Sequence, residues 1–258
     1  MELAAALGRL LEPLGLLPLA RFVKARLNQI SPKNLWQRRV TCKFYAQFIG
    51  KGDLVFDIGA NMGSWTKVFL RLGARVVCVE PQEACVEQLR RLFGKNSRVI
   101  IVGEAVGESE GKSELMICED ASTLSTMSGK WTSEGRFSGK YTWMKKQEIV
   151  VTTLNALIRQ YGIPRFCKID VEGYEASALK GLSTPIPFLS FEFTKEFLKD
   201  AMTCMEHLSS LGEARFNCSI GDSMELSYDG WTAAEELYAK LESIEDENLC
   251  GDIYAMFV

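Results

Sequence analysis

From Leu54 onward the chain alternates short apolar runs with amphipathic segments, and this alternation restricts the possible fold more than any other feature. The runs Leu54–Ile58, Arg75–Glu80 and Val99–Val102 are predicted strands, and Ser64–Leu72 and Gln82–Phe93 are predicted helices. Strands that alternate with helices are joined by right-handed crossovers and lie parallel in one sheet. The sequence therefore predicts an α/β fold.

The same alternation returns in the second half of the chain. Predicted strands lie at 148–152, 166–170, 188–193, 214–219 and 252–258, and predicted helices lie at 153–161, 174–182, 195–211 and 233–243. Another strand-like run, Ser113–Ile117, precedes a polar stretch from Glu119 to Lys146. A stretch this long inside a compact domain is usually functional or disordered. Because it carries Trp131 and Trp143, we interpret residues 119–146 as an inserted lid or substrate wall.

Residues 1–50 are predicted to form a helical extension ahead of a single domain, residues 51–258. Pro13 and Pro18 break the first helical part, because proline lacks an amide donor and clashes with the preceding turn. A second helix is predicted at Leu35–Ile49. The N-terminal apolar run is too interrupted for a transmembrane helix and does not resemble a signal peptide.

Charge and cysteine content bound the partners and the compartment. The net charge of −3 gives no signature of nucleic-acid binding, so we expect no nucleic-acid partner. Basic residues concentrate between Arg21 and Lys43, and we interpret them as a solvated face in preference to peripheral membrane contact through residues 1–43. No cysteine forms a C-x-x-C pair, and Cys78 and Cys167 lie in apolar runs. Buried, reduced cysteines predict a cytoplasmic protein.

The most informative local feature is a glycine turn that follows the first strand of the alternating region. Asp57-Ile-Gly59-Ala60-Asn61-Met-Gly63 leads from that strand into a helix. Glycines allow a tight turn and close approach to a ligand, and the helix start offers free amides. Glu80 ends the next strand, where an acid can hydrogen-bond the hydroxyls of an adenosine ribose. Together these features predict an adenosine-containing cofactor.

The details of the turn favour S-adenosylmethionine over a nicotinamide dinucleotide. The dinucleotide fingerprint requires G-x-G-x-x-G, whereas Ala60, Asn61 and Met62 separate Gly59 from Gly63. The carboxylate of Asp57 before the turn suits an ammonium group and would repel a pyrophosphate. S-adenosylmethionine carries an ammonium group and no phosphate.

Four motifs together resemble the FkbM family of methyltransferases. They are Asp57-Ile-Gly-Ala-Asn-Met-Gly63, Val79-Glu80-Pro81, Glu104-Ala105-Val106-Gly107 and Lys168-Ile-Asp170-Val-Glu172-Gly173-Tyr-Glu175. The resemblance extends from about Asp53 to Phe193. It implies a Rossmann-like class I fold with a seven-stranded, mostly parallel sheet, an antiparallel last strand and helices on both faces. The strand-like runs at Ser113 and Glu148 are then interpreted as a side hairpin.

The resemblance also implies an activity and a cofactor site. The activity is O-methylation of a hydroxyl on a small molecule, natural product or glycan. Mapped onto this chain, Asp57, Gly59, Ala60, Asn61 and Gly63 would hold the methionine end of the cofactor. Glu80 and Pro81 would lie at the ribose, and Glu104 and Ala105 beside the adenine.

Three acids near strand ends are the candidate catalytic residues: Asp170, Glu172 and Glu192. Asp170 is also a candidate cofactor contact. Ligands of open α/β sheets bind at the carboxyl ends of the strands. A general base or a substrate contact is the interpretation we prefer for the acids. A divalent metal shared by Asp170 and Glu192 is the lesser one, and pairing with Lys168, Arg165 or backbone amides is the structural alternative. His207, the only histidine, lies in a predicted helix and is expected at the surface.

Two alternative functions remain open from the sequence. One is a nicotinamide-dependent oxidoreductase, which the missing G-x-G step and the charge of Asp57 disfavour. The other is a non-catalytic module that binds an adenosine ligand. The acids at the predicted strand ends disfavour such a module.

Overall fold

The structure, a computed structural model, describes residues 32–258, with side chains from Trp36 onward. The predictions for Pro13, Pro18 and most of the basic segment lie outside the described residues. The chain divides into two units, Met1–Phe44 and Tyr45–Val258. The helix predicted at Leu35–Ile49 lies at Pro32–Tyr45 and ends before the predicted position. No helix among the described residues is both long and apolar enough to cross a membrane.

The elements follow the predicted alternation. The helices are α1 (Pro32–Tyr45), α2 (Ser64–Arg71), α3 (Glu83–Phe93), α4 (Gly129–Glu134), α5 (Leu154–Tyr161), α6 (Glu175–Lys180), α7 (Leu198–Leu211) and α8 (Ala234–Glu242). The strands are β1 (Leu54–Ile58), β2 (Arg75–Val79), β3 (Val99–Val102), β4 (Ala105–Val106), β5 (Gly111–Ile117), β6 (Lys145–Thr152), β7 (Phe166–Ile169), β8 (Phe188–Thr194), β9 (Ala214–Ile220) and β10 (Cys250–Phe257).

The main sheet has seven strands in the order β3-β2-β1-β7-β8-β10-β9. All pairs from β3 to β8 are parallel, and β10 is antiparallel to both of its neighbours. The predicted antiparallel last strand is therefore confirmed. The strand order reverses direction at β1, so right-handed crossovers place helices on both faces. Ligands bind at such a reversal point.

A second, three-stranded sheet of order β4-β6-β5 corrects the predicted side hairpin. The β5 and β6 strands form the expected antiparallel pair, and β4 joins β6 in parallel. No pattern in the sequence predicted β4, because this strand has only two residues, Ala105 and Val106. The small sheet thereby begins directly after Glu104, beside the end of β3.

Within one face of the main sheet, a row of polar side chains crosses the buried interior. Cross-strand register pairs Asp57 with Lys168, Lys168 with Ser190, Ser190 with Tyr254 and Tyr254 with Asn217. Residues in register project from the same face of a sheet. All five are at most 1% exposed. A polar row in a doubly covered sheet is costly unless its members are paired, so it marks where the fold departs from an apolar core.

The inserted segment is more ordered than a plain loop. It contains a short 3-10 turn, Ser122–Leu124, and helix α4. Arg136 anchors it to the main domain: its Nε donates to Glu196 at 2.8 Å, and its guanidinium also donates to the Asn248 and Leu249 carbonyls. The insertion is thus fixed at its C-terminal part to the loop that precedes β10.

Candidate active site

A cavity opens at the carboxyl ends of β1, β2 and β7. The predicted cofactor residues that line it are Gly59, Ala60, Asn61, Glu80, Pro81, Glu104, Ala105 and Asp170. Glu172 lines it as well, and the insertion contributes Ser122, Thr123, Ser125, Thr126 and Met127. Two predicted contacts, Asp57 and Gly63, are absent from the lining.

The turn after β1 requires glycine at two positions for different reasons. Gly59 has φ +78°, and a Cβ there would lie 1.8 Å from the carbonyl oxygen of Asp170. Only glycine therefore allows β1 and β7 to approach this closely where their ends meet the cavity. Gly63 has φ +76°, and its Cβ would lie 2.5 Å from the ring of Phe93. Gly63 thus serves the packing of α3 against the turn.

Glu80 joins two turns at the rim of the cavity. Its carboxylate accepts hydrogen bonds from the amides of Asn61 and Gln82, each at 2.8 Å. The residue is 6% exposed, and burial raises the pKa of its carboxyl to about 7. One acid therefore fixes the ends of β1 and β2 relative to each other and still lines the cavity.

Asp57 lies behind the turn instead of in the cavity. It is 1% exposed, and its carboxylate accepts a hydrogen bond from Thr66 Oγ1 at 2.5 Å. Burial raises the pKa of Asp57 to about 6. This position does not support the predicted direct contact of Asp57 with the methionine end of the cofactor. Asp57 instead ties β1 to the first turns of α2.

The insertion and the small sheet line the cavity and form hydrogen bonds with the segments that follow β1, β2 and β7. Ser122 Oγ donates to Asn61 Oδ1 at 3.3 Å, and Thr126 Oγ1 donates to the Glu172 carbonyl at 2.7 Å. Gln147 on β6 binds the turn after β2, since its Nε2 donates to the Pro81 carbonyl at 2.9 Å. Sequence reasoning did not identify Gln147. It recognised Ser122–Met127 as possible hydrogen-bond donors but could not distinguish them from ordinary loop residues, because serine and threonine are common in loops. The lid role of the insertion stays a prediction.

The three predicted catalytic acids come together at the ends of β7 and β8. One carboxylate oxygen each of Asp170, Glu172 and Glu192 lies within 4.8 Å of the others. Asp170 is held by the buried Lys168, whose Nζ lies 3.2 Å from Asp170 Oδ2 and 3.0 Å from Asp252 Oδ1. Burial alone would lower the pKa of Lys168, but the two carboxylates raise it well above its ordinary value. Lys168 is therefore charged, and the pairing alternative holds for Asp170.

Glu172 and Glu192 lack such a counter-ion. Burial, and then the facing carboxylate of Glu192, raise the pKa of Glu172 well above its ordinary value. Burial and the nearby Asp170 raise the pKa of Glu192 in the same direction. Glu172 also has φ +52°, a left-handed conformation that is costly for a residue other than glycine. Each carboxylate opposes the ionisation of the other, so the pair binds a proton more readily than an isolated glutamate does.

A further acid, Glu175, supports this arrangement and was missed as a site residue. Its buried carboxylate accepts hydrogen bonds from the amides of Val171 and Gly173, at 3.0 and 3.3 Å. These bonds fix the backbone on both sides of Glu172. The signal in the sequence was its place in the run Asp170-Val-Glu-Gly-Tyr-Glu175.

Residues 57–217 match the family pattern described as the methyltransferase FkbM domain. This chain belongs to the FkbM methyltransferase family. It is therefore an S-adenosylmethionine-dependent methyltransferase, as the four motifs indicated. The family assignment decides against the nicotinamide-dependent oxidoreductase and the non-catalytic binding module. No curated protein matches the sequence.

Several solved structures resemble the FkbM chain at low identity. Precorrin-6y C5,15-methyltransferase from Geobacter metallireducens is 13% identical, with a TM-score of 0.44 over 86% of this chain and 87% of that one. A TehB-like SAM-dependent methyltransferase from Corynebacterium glutamicum is 8% identical, with a TM-score of 0.41 over 83% and 86%. A Streptococcus mutans structure in complex with SAH is 11% identical, with a TM-score of 0.42 over 85% and 97%.

The charges of the cavity fit the cofactor of this FkbM methyltransferase. Among the described residues its lining contains Glu80, Glu104, Asp170 and Glu172 but no lysine or arginine. Such a lining suits a ligand with sulfonium and ammonium charges and opposes a pyrophosphate. Gly59, Ala60 and Asn61 would hold the methionine end, Glu80 the ribose, and Glu104 and Ala105 the adenine end.

The remaining candidates of the FkbM chain have structural positions. His207 is half-buried on α7, with Nε2 3.0 Å from the Leu182 carbonyl oxygen, and does not line the main cavity. Trp143 donates its indole N–H to the Leu124 carbonyl at 2.6 Å and does not line the main cavity. Trp131 is 3% exposed and lines a second, smaller cavity. The hydrogen bond from Trp143 therefore joins two parts of the insertion to each other.

Proposed function

We propose that this methyltransferase transfers a methyl group to a hydroxyl oxygen of a small molecule, natural product or glycan. The observation that carries the proposal is the carboxylate cluster of Asp170, Glu172 and Glu192 beside the main cavity. When bound, S-adenosylmethionine supplies an activated methyl group on a sulfonium. The protein must then align the acceptor oxygen and remove its proton, since a hydroxyl is a weak nucleophile.

The Glu172–Glu192 pair is suited to receive that proton. Their raised pKa values make a carboxylate of the pair a stronger base than an ordinary glutamate. Asp170 is paired with Lys168 and lies beside the two glutamates. The acceptor O–H proton passes to the pair as the oxygen forms its bond to the methyl carbon. Metal assistance, the lesser interpretation from the sequence, is outside the proposal, because Asp170 already pairs with the charged Lys168.

The test is methyl transfer from ¹³C-methyl-labelled S-adenosylmethionine to a panel of alcohols, sugars and amines, with the full chain. The carbon chemical shift of the new methyl group distinguishes O-methyl from N-methyl and C-methyl products. Glu192→Gln is expected to lower turnover by about 10²- to 10⁴-fold while the affinity for S-adenosylhomocysteine is retained. The control Glu206→Gln removes an exposed carboxylate from α7. Exclusive methylation of nitrogen or carbon, or full turnover by Glu192→Gln, would refute the proposal.

We also propose a cytoplasmic location and an acceptor that is not a nucleic acid. All eight cysteines are free, as expected in a reducing compartment. The acidic cavity lining would repel a phosphate backbone. The segment considered for membrane contact, residues 1–43, lies mostly outside the described residues.

A further inference from the structure

A second, smaller cavity lies on the other side of the carboxylate cluster. It is lined by Trp131, Gly173, Glu175, Ala176, Glu192, Phe193, Thr194, Phe197, Asp200, Ala201 and Cys204. Asp170 and Glu172 line the main cavity, whereas Glu192 lines this one, so the cluster stands between the two. A group bound in the second cavity would be held beside the cluster that faces the cofactor site.

The second cavity is acidic and contains one acid without a partner. Glu175 accepts its two backbone hydrogen bonds, and Asp200 is paired with Lys130 Nζ at 2.7 Å. The Glu192 carboxylate has no hydrogen bond or ion pair with any described residue, and no lysine or arginine of the described chain lines the cavity. A largely buried carboxylate is costly without a partner. The cavity therefore has an unmet requirement for a hydrogen-bond donor, and a cationic donor meets it best.

Two buried polar groups of the same cavity are also unpartnered. The Thr194 hydroxyl and the Trp131 indole N–H have no hydrogen-bond partner among the described residues, and the two residues are only 4% and 3% exposed. Thr194 follows Glu192 by two positions on β8, so both side chains leave the same face of the strand. Buried polar groups are normally satisfied, and exceptions require an explanation. Thr194 can accept a hydrogen bond from a ligand, and Trp131 can donate one.

The walls of the cavity suit an organic cation. The rings of Trp131 and Phe197 lie 5.8 Å apart by centroid, and aromatic faces attract ammonium groups. Lys130 Nζ already lies 4.7 Å from the Phe197 ring centroid, at the rim, where Asp200 neutralises it. Ala176, Ala201 and Phe193 complete a lining that can contact the carbon skeleton of a ligand. A small divalent metal would make no use of these apolar walls.

We propose that the second cavity binds a protonated amine of the methyl acceptor, with the ammonium group between Glu192 and Thr194. The acceptor is then an amino alcohol. An oxygen of this molecule accepts a hydrogen bond from the Trp131 indole N–H or receives the methyl group. This inference rests on the proposed hydroxyl methylation and narrows its substrate class. In this arrangement the carboxylate cluster lies between the nitrogen that the second cavity binds and the oxygen that receives the methyl group.

The test compares two probes of the same shape, 2-amino-1,3-propanediol and glycerol, which differ by one ammonium in place of one hydroxyl. Ligand-observed NMR titrations use the full chain saturated with S-adenosylhomocysteine. We expect the dissociation constant of the amine to be at least about tenfold lower than that of glycerol, as for a charge-assisted hydrogen bond. Glu192→Gln should remove this preference, and the control Glu206→Gln should retain it.

The outcomes separate the two proposals. Failure to bind S-adenosylhomocysteine would count against the cofactor site and the proposed function. Binding of S-adenosylhomocysteine with equal affinities for the two probes would overturn the amine site alone. Displacement of the amine by Mg²⁺, with tighter Mg²⁺ binding that Glu192→Gln abolishes, would make the cluster a metal site and would also overturn it. Thermal melting of each variant with S-adenosylhomocysteine verifies that it is folded, and the wild-type comparison needs no variant.

Discussion

Replacing Lys168 by methionine should destabilise the protein far more than an ordinary loss of one surface charge. The side chain is 2% exposed, and its Nζ lies within 3.2 Å of both Asp170 and Asp252. Methionine retains most of the aliphatic volume, so the change leaves packing nearly intact and removes the only cation paired with these two acids among the described residues. Breaking a buried pair in this way costs about 3–5 kcal/mol, mainly because the remaining charge is uncompensated.

The pH dependence of the loss distinguishes this cause from a packing defect. The pKa of Lys168 is raised above its ordinary value of 10.5, so its contribution in the wild type is complete below pH 10.5 and is lost only as pH rises through the folded value. In Lys168→Met the uncompensated carboxylates are neutralised by acid. The deficit relative to wild type should therefore be full at pH 7 and should shrink toward pH 4.

The assay is urea denaturation followed by circular dichroism at several pH values. The matched control is Lys180→Met, which removes a 51% exposed lysine that lies 3.7 Å from Glu108. An exposed pair of this kind contributes at most about 1 kcal/mol. The reasoning is refuted if the Lys168→Met loss equals the Lys180→Met loss, or if its deficit stays constant between pH 4 and pH 7.

Two further predictions concern the turn and the insertion. Gly59→Ala should abolish S-adenosylhomocysteine binding in calorimetry and destabilise the fold, since the new Cβ meets the Asp170 carbonyl and the residue has positive φ; wild-type affinity would contradict this. Glu196→Gln should cost about 1–2 kcal/mol at pH 7, after allowance for the 23% exposure of the side chain. Arg136 outweighs burial and lowers the pKa of Glu196 to about 2, below its ordinary 4.5, so the contribution is present above pH 4.5 and is lost between pH 4.5 and pH 2. Equal stability of this variant and wild type at pH 7 in urea melts would contradict the prediction.

The sheet and the cofactor edge were predictable because their signals are local. A strand, its glycine turn and the following helix are contiguous in sequence, as are the Asp170–Glu175 run and its backbone hydrogen bonds. Asp57 shows the limit of such reasoning. Its residue type suited an ammonium group, but its position within β1 turns the side chain toward Thr66 and the register neighbour Lys168. Side chains alternate along a strand, so the sequence already showed that Ile58 and Asp57 face opposite sides and cannot both face the cavity.

The second cavity could not be predicted, because it depends on contacts between distant segments. Trp131 reaches it from the insertion, Glu192 and Thr194 from β8, and Phe197 from the turn after β8. No local pattern distinguishes these residues from core aromatics and strand polar residues. The sequence could place Trp131 and Glu192 only as separate candidates.

The register of the sheet explains why the acids of the site divide into two roles. Asp252 is in register with Glu192 on the neighbouring strand, and Asp170 follows β7 on the other side of β8. Lys168 reaches Asp170 and Asp252 but forms no ion pair with Glu192. Lys168, the one buried cation among the described residues, therefore pairs with the two flanking acids. The central glutamate, Glu192, with Glu172 beside it, remains available to accept a proton or to bind a cationic ligand. Methylation of an amino alcohol requires both functions.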